Sequence, residues 1–237
     1  IRHIGMSTHN PAVGIRAVEM GLVEMLLFSC NPAFDLLPAS EELNDSFAEE
    51  YDPALEGLNT VRARLYQLCE QKGVGITVMK GYAGGRLFKA ETSPFGVALT
   101  PVQSLHYALT RPAVASVMVG YDTPQHVMEA VAYETAAEGE KDYATVLAGA
   151  PRHAYSGQCT YCGHCKPCPV NIDIAMVNKL YDLAVMQPQV PGSVLDHYRQ
   201  LEVTAKDCIG CQSCESRCPF GVKIADRMAK AAALLDT

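Results

Sequence analysis

The sequence predicts an α/β fold: four strand–helix units on a parallel sheet, followed by a helical, cysteine-rich domain. Three observations predict it. Short apolar runs alternate with amphipathic stretches over residues 1 to about 137. Three amphipathic stretches open on a capping residue followed at once by proline, at Asn10-Pro11, Thr100-Pro101 and Thr123-Pro124. Eight of the ten cysteines fall in two tight runs within residues 159–218. The predicted domains are 1–150 for the strand–helix units and 151–237 for the cysteine-rich part.

The elements follow in order. Ile1–Met6 is the first predicted strand, and Asn10-Pro11 opens a helix to about Gly21. Met25–Ser29 is the second strand, and a polar, acidic loop covers Pro38–Pro53. A helix over Leu58–Lys72 carries Leu58, Val61, Leu65 and Leu68 at helical spacing, with Gly73 to end it. Gly75–Met79 is the third strand, and Thr100-Pro101 starts a helix to about Thr110. Val114–Val119 is the fourth strand, before the Thr123-Pro124 helix. Short apolar strands alternating with helices read as a parallel sheet. Four such units make half of a TIM-type (β/α)8 barrel, a half-barrel. A small doubly wound sheet is the alternative. A half-barrel leaves two strand edges and an apolar interior uncovered. The expectation is therefore an upstream half-barrel or an oligomer partner to cover them. The chain starts inside a predicted strand, as a piece of a longer protein would.

Composition narrows the classes. The 237 residues are 49% hydrophobic and 19% charged, enough to build one large or two modest domains. A net charge of −7 argues against nucleic acid as a partner. No apolar run reaches membrane-spanning length and the N-terminus lacks a signal-peptide pattern. The expected location is cytoplasmic.

The cysteine runs carry the chemistry. Cys159, Cys162, Cys165 and Cys168 precede Pro169, and Cys208, Cys211, Cys214 and Cys218 precede Pro219. The second run has the full C-x2-C-x2-C-x3-C-P spacing of a [4Fe–4S] ligand set; the first is one residue short, at Lys166-Pro167. Three cysteines at two-residue gaps can curl round three corners of a cubane, and the fourth is displaced. In two-cluster proteins that fourth thiolate serves the other cluster. Cluster I is thus assigned to Cys159, Cys162, Cys165 and Cys218, and cluster II to Cys208, Cys211, Cys214 and Cys168. Zinc sites use two pairs instead of three consecutive steps. Disulfides would need an oxidising compartment. Cys30 and Cys69 stand apart and read as buried free thiols. Helices are predicted at Ile172–Met186, Val194–Val203 and Ile224–Leu235. This part resembles the helical dicluster type of ferredoxin-like domain. Lys166, Lys206, Arg217 and Lys223 flank the ligands and offset cluster charge.

The first part resembles the C-terminal half of the aldo-keto reductase family, in the branch with a C-terminal ferredoxin-like segment. Ile4-Gly5-Met6-Ser7-Thr8-His9 looks like the family's fifth strand. Val78-Met79-Lys80-Gly81-Tyr82-Ala83-Gly84-Gly85-Arg86-Leu87 is similar to its seventh strand and loop. Val119-Gly120 through Glu129 resembles its eighth strand and helix. The resemblance implies an oxidoreductase that moves a hydride between NAD(P)H and a small carbonyl or alcohol. It implies that Ser7 meets the nicotinamide, that Gly84-Gly85 pass the pyrophosphate, and that Gly120 and Glu129 lie by the adenosine. His9 and Lys80 would line the pocket. The family's catalytic tetrad belongs to the other half of the barrel, so no residue here is assigned as catalyst. Departures are Thr8 for an asparagine, Leu27 for a glutamine, Met79 for an aromatic, Gly81 for a proline and Ala130 for an asparagine. No Arg or Lys follows Gly120 within its turn to meet a 2′-phosphate. The two clusters imply a protein electron donor or acceptor. The rival expectation is a non-enzymatic electron-transfer module on a degenerate barrel scaffold.

Overall fold

Each described strand runs parallel to its neighbour in sequence. β1 (Gly5–Thr8), β2 (Met25–Ser29), β3 (Gly75–Met79) and β4 (Val114–Val117) form one sheet in the order β1-β2-β3-β4. The molecule is described from a computed structural model, over residues 1–40, 52, 54–186 and 188–236. It divides into two units, Ile1–Tyr155 and Ser156–Thr237. The acidic loop expected over 38–53 lies largely outside the described residues.

The strand order of the first unit contains no reversal. A doubly wound sheet reverses at a switch point, and the described strands show no such reversal. The first strand lies at Gly5–Thr8, not Ile1–Met6. Pairing decides this: Gly5 faces Met25, where β2 begins, and Ile4 only accepts a turn bond from the Glu24 N–H at 2.9 Å. At the other edge β4 carries a bulge. Ile76 faces Val114 and Thr77 faces Ser116, which leaves Ala115 over.

The cap residues act as expected. The Asn10 side chain accepts from the Ala12 N–H at 2.9 Å and starts α1 (Pro11–Glu19). Asn59 accepts from the Val61 N–H at 3.0 Å and starts α2 (Thr60–Lys72), which Gly73 ends at φ 67°. Thr100 and Gln103 form a reciprocal capping box on α3 (Pro101–Leu109), and Thr123 caps α4 (Pro124–Val131). Each such cap contributes about 1 kcal/mol. The short helix α5 (Tyr143–Ala148) was not predicted; six residues are too few to show a helical period.

One face of the sheet is covered and one is bare. Leu26, Phe28, Ile76 and Val78 are fully buried on the helix side, with Tyr66 of α2 edge-on to Phe28 at 6.0 Å. The alternate residues point the other way. Met25 is 47% exposed and Met118 61%, and Ser7 is exposed too. On this face the Thr77 and Ser116 hydroxyls meet at 2.9 Å.

A polar knot lies inside the core. Beyond β2, a buried 3-10 turn (Phe34–Leu36) brings Asp35 under α2 and α3. The Tyr66 hydroxyl donates to its Oδ1 at 2.6 Å and the Tyr107 hydroxyl to its Oδ2 at 2.8 Å. Tyr155 joins by donating to the Pro32 carbonyl at 2.7 Å, with its oxygen 3.0 Å from Tyr107. Burial pushes the Asp35 carboxyl up, against the pull of Arg62, Tyr66, Arg111 and Tyr107. Cys30 and Cys69 are both buried, and burial pushes Cys69 up to about 12.

The second unit is helical. α6 (Ile174–Val185) and α8 (Ile224–Leu235) pack together, and α7 (Gly192–Arg199) packs on α6. Ile174, Val177, Leu180 and Leu183 form the buried stripe of α6, opposite Met228, Ala231 and Leu235. α7 stops at Arg199, short of the predicted Val203, because the chain turns into a capping box between Thr204 and Asp207. Asp236 fixes that turn. It accepts from Tyr198 at 2.8 Å, Thr204 at 2.8 Å and the Lys206 N–H at 3.1 Å. Among the described residues, no helix is long and apolar enough to cross a membrane.

Candidate functional site

The two cysteine runs fold as copies of one backbone. In each run the residue before the second cysteine has positive φ: Tyr161 at 58° and Gly210 at 66°. The residue after it does too: Gly163 at 84° and Gln212 at 59°. Three residues past the last cysteine, Asn171 (61°) and Gly221 (65°) repeat the pattern. The turn bonds repeat as well. The Lys166 N–H donates to Gly163 at 3.0 Å, as Glu215 does to Gln212 at 2.9 Å. The Asn171 N–H donates to Cys168 at 3.0 Å, as Gly221 does to Cys218 at 3.2 Å. α6 and α8 then start at the same offset, Ile174 and Ile224.

Left-handed residues alternating with right-handed ones turn backbone N–H groups inward, toward an anion. Here they reach the sulfurs. The His164 N–H donates to Cys162, and the Ser213 hydroxyl and N–H donate to Cys211. Those two Ser213 bonds hold the Cys211 thiol below its ordinary value. Burial pushes Cys159 and Cys165 up to about 12 each, with the Tyr161 N–H pulling Cys159 back. Such N–H···S bonds tune cluster potentials.

The fourth cysteine of the first run faces the second run. Cys168 lines one cavity with Cys208, Cys211 and Cys214, closed by apolar Ile172 and Met228. Among the described residues no three His, Cys, Asp or Glu side chains converge to hold a single ion. Cys168, Cys208, Cys211 and Cys214 share one cavity, and thiolates are the ligands of an iron–sulfur group. The residues present therefore fit an iron–sulfur group. Cys159, Cys162, Cys165 and Cys218 are half-buried or buried in the same unit.

Arg217 straps the two runs. From the second it donates to the Cys165 carbonyl at 2.8 Å and the Pro167 carbonyl at 2.7 Å. Lys166 instead pairs with Asp173 at 3.6 Å, and Lys223 is the residue that begins α8. Arg227 on α8 donates to Asn178 and to Asp182 of α6, each at 2.6 Å, and Tyr161 donates to the other Asp182 oxygen at 2.9 Å. The first cysteine loop is thereby tied to both long helices. Sequence spacing gave no sign of this network.

A second candidate site lies in the first unit. After β3 the chain turns through Gly84 and Gly85, both at positive φ (67° and 85°). After β4 it turns through Gly120 into the N-terminus of α4. The two turns lie together: a Cβ on Gly81 would stand 3.1 Å from Val119 and 3.2 Å from Val117. Between them is a cleft of about 390 Å³, within the range of small-molecule sites. Lys80, Gly84, Gly85, Gly120 and Glu129 all line it. Ser7 is not among its lining residues; it sits on the bare face of β1. His9 does not line the cleft either; burial, then Lys80 and Arg62, push its ring below the ordinary value.

Tyr82, Phe88, Asp122 and His126 also line the cleft and were not expected there from the sequence. Tyr82 and Phe88 pack ring to ring at 4.8 Å. The Tyr82 hydroxyl is buried without a partner, and burial, then Tyr121 and Glu129, push it up, so it stays a donor. Asn31 braces the cleft from behind, donating to the Lys80 carbonyl at 2.9 Å.

The repeated cysteine backbone and the shared cavity define an iron–sulfur domain. Residues 158–223 match the family described as the 4Fe-4S dicluster domain, which gives the chain a ferredoxin-like segment suited to electron transfer. No curated protein and no solved structure matches the chain.

Proposed function

We propose that the chain is half of an aldo-keto reductase-like barrel joined to a domain holding two [4Fe–4S] clusters. Its activity would be nicotinamide-linked redox of a small carbonyl or alcohol, coupled to one-electron exchange with a protein partner. The observation that carries the reading is the meeting of Gly84, Gly85, Gly120 and Glu129 on one cleft. The unreversed parallel order and the bare sheet face support the half-barrel, with the other half upstream or on a partner. Oxygen-sensitive clusters suit a reducing cytoplasm.

Each residue set has a task. Cys159, Cys162, Cys165 and Cys218 hold cluster I, and Cys208, Cys211, Cys214 and Cys168 hold cluster II. The cavity shared by Cys168 and the second run supports the crossed assignment. The Lys80 cation receives a diphosphate beside the Gly84–Gly85 turn, and Tyr82 and Phe88 give an apolar wall. Ser7, off the cleft, is kept only as a residue that a completed barrel would bring to the nicotinamide. When bound, the dinucleotide supplies a hydride and the two clusters hold one electron each.

Anaerobic purification with iron and acid-labile sulfide analysis tests the cluster half. About eight of each per chain, with coupled-spin EPR signals after reduction, is the expected result. About four of each, or zinc in place of iron, would overturn the two-cluster assignment.

A further inference from the structure

The charges around the cleft are unequal. Lys80 is the one lysine or arginine among its lining residues, and Asp122 and Glu129 are its two carboxylates. His126 is tied to the same turn, its Nδ1 accepting the Asp122 N–H at 3.3 Å. Gln125 donates to Glu129 at 3.1 Å and holds that carboxylate in place over one turn of α4. Asp122 is exposed one residue before the α4 cap. Both carboxylates come from the segment after β4, and the cation from the segment after β3, where the Gly85 N–H is already donated to the Tyr82 carbonyl at 2.8 Å.

This distribution suits one class of ligand. A diphosphate needs a cation, which Lys80 provides. A ribose diol carries two hydroxyl donors, and carboxylates are acceptors for them. A phosphate on the 2′-hydroxyl would instead carry about −1.5 to −2 charge toward two carboxylates, with no guanidinium to meet it.

We infer that the cleft selects a dinucleotide with a free ribose diol, taking NADH and rejecting NADPH through Asp122 and Glu129. The inference rests on the nicotinamide reading of this cleft. Tyr82 serves the same ligand: its partnerless hydroxyl is the donor that a bound phosphate or ribose oxygen satisfies.

Calorimetric titration of the full, cluster-loaded chain with NADH and with NADPH tests it. NADH is expected to bind at least about tenfold more tightly at low salt, with the gap shrinking as salt rises. In the Asp122→Asn/Glu129→Gln double variant the gap is expected to fall below about threefold. Both side chains reach the surface, and unchanged cluster absorbance would confirm folding. NADPH binding as tightly as NADH overturns the inference and leaves the nicotinamide reading standing. A gap that survives the double variant also overturns it, since other groups would then select. If neither dinucleotide binds at millimolar concentration, the nicotinamide reading fails and the inference falls with it.

Discussion

Cys168 and Cys208 line one cavity although they belong to different cysteine runs. If they share a cluster, losing either must damage the same one. Cys168→Ala is expected to keep the EPR signal that Cys208→Ala keeps, and not the one left by Cys159→Ala. A Cys168→Ala spectrum matching Cys159→Ala would mean each run closes on its own cluster.

Arg217 spans the runs by two charge-assisted bonds to carbonyls. Such bonds contribute about 1.5–3 kcal/mol each. Both leave one guanidinium nitrogen, so Arg217→Met, which keeps the apolar stem and has no N–H donor, removes both. The variant should release iron to a chelator severalfold faster than the parent chain. An unchanged release rate would show that the strap bears no strain.

Asp35 is the acceptor for two buried hydroxyls. Asp35→Ala removes the acceptor of both hydroxyls, at about 1–3 kcal/mol for a hydroxyl left unsatisfied, while Tyr107 keeps Tyr155 at 3.0 Å. Asp35→Asn retains one acceptor and should cost less. Urea unfolding of both variants, followed by tyrosine fluorescence, checks the order; an Ala variant as stable as the Asn one refutes it.

His106 sets a pH slope. Burial pushes its ring below the ordinary 6.5, outweighing the upward pull of Glu138, while it contacts the Tyr133 hydroxyl at 3.0 Å. Below 6.5 the unfolded chain takes up a proton that the folded chain resists. Its stability contribution is thus complete above that value and lost as pH falls through the lowered one. His106→Asn should flatten the urea midpoint against pH in this window, leaving a residual slope from His9. Equal slopes in variant and parent would count against the assignment.

Much of this architecture is written in local signals. β2 and β3 fall where apolar runs are bounded by breakers, and the helix starts follow their cap-and-proline pairs. β1 shifted because an edge strand extends only as far as its partner, which no single segment records. The Asp35 knot was invisible because it joins residues from four separate segments, and periodicity registers apolar faces only. The iron–sulfur domain was legible because thiolate spacing is chemically narrow. Asp122 was not, since it reads as an ordinary solvated charge until β3 and β4 bring their loops together, whereas Glu129 was expected there from the resemblance.

The paired left-handed positions of the cysteine loops amount to one instruction spelled twice in different letters. Tyr161 answers to Gly210, Gly163 to Gln212, and Asn171 to Gly221, and only the sign of φ is shared. What such a repeat conserves is a sequence of bends, with side chains free to drift between the copies. Exchanging the heptapeptides 168–174 and 218–224 should therefore be a near-silent edit for the backbone. Each copy could diverge toward its own neighbours without erasing the template that both obey.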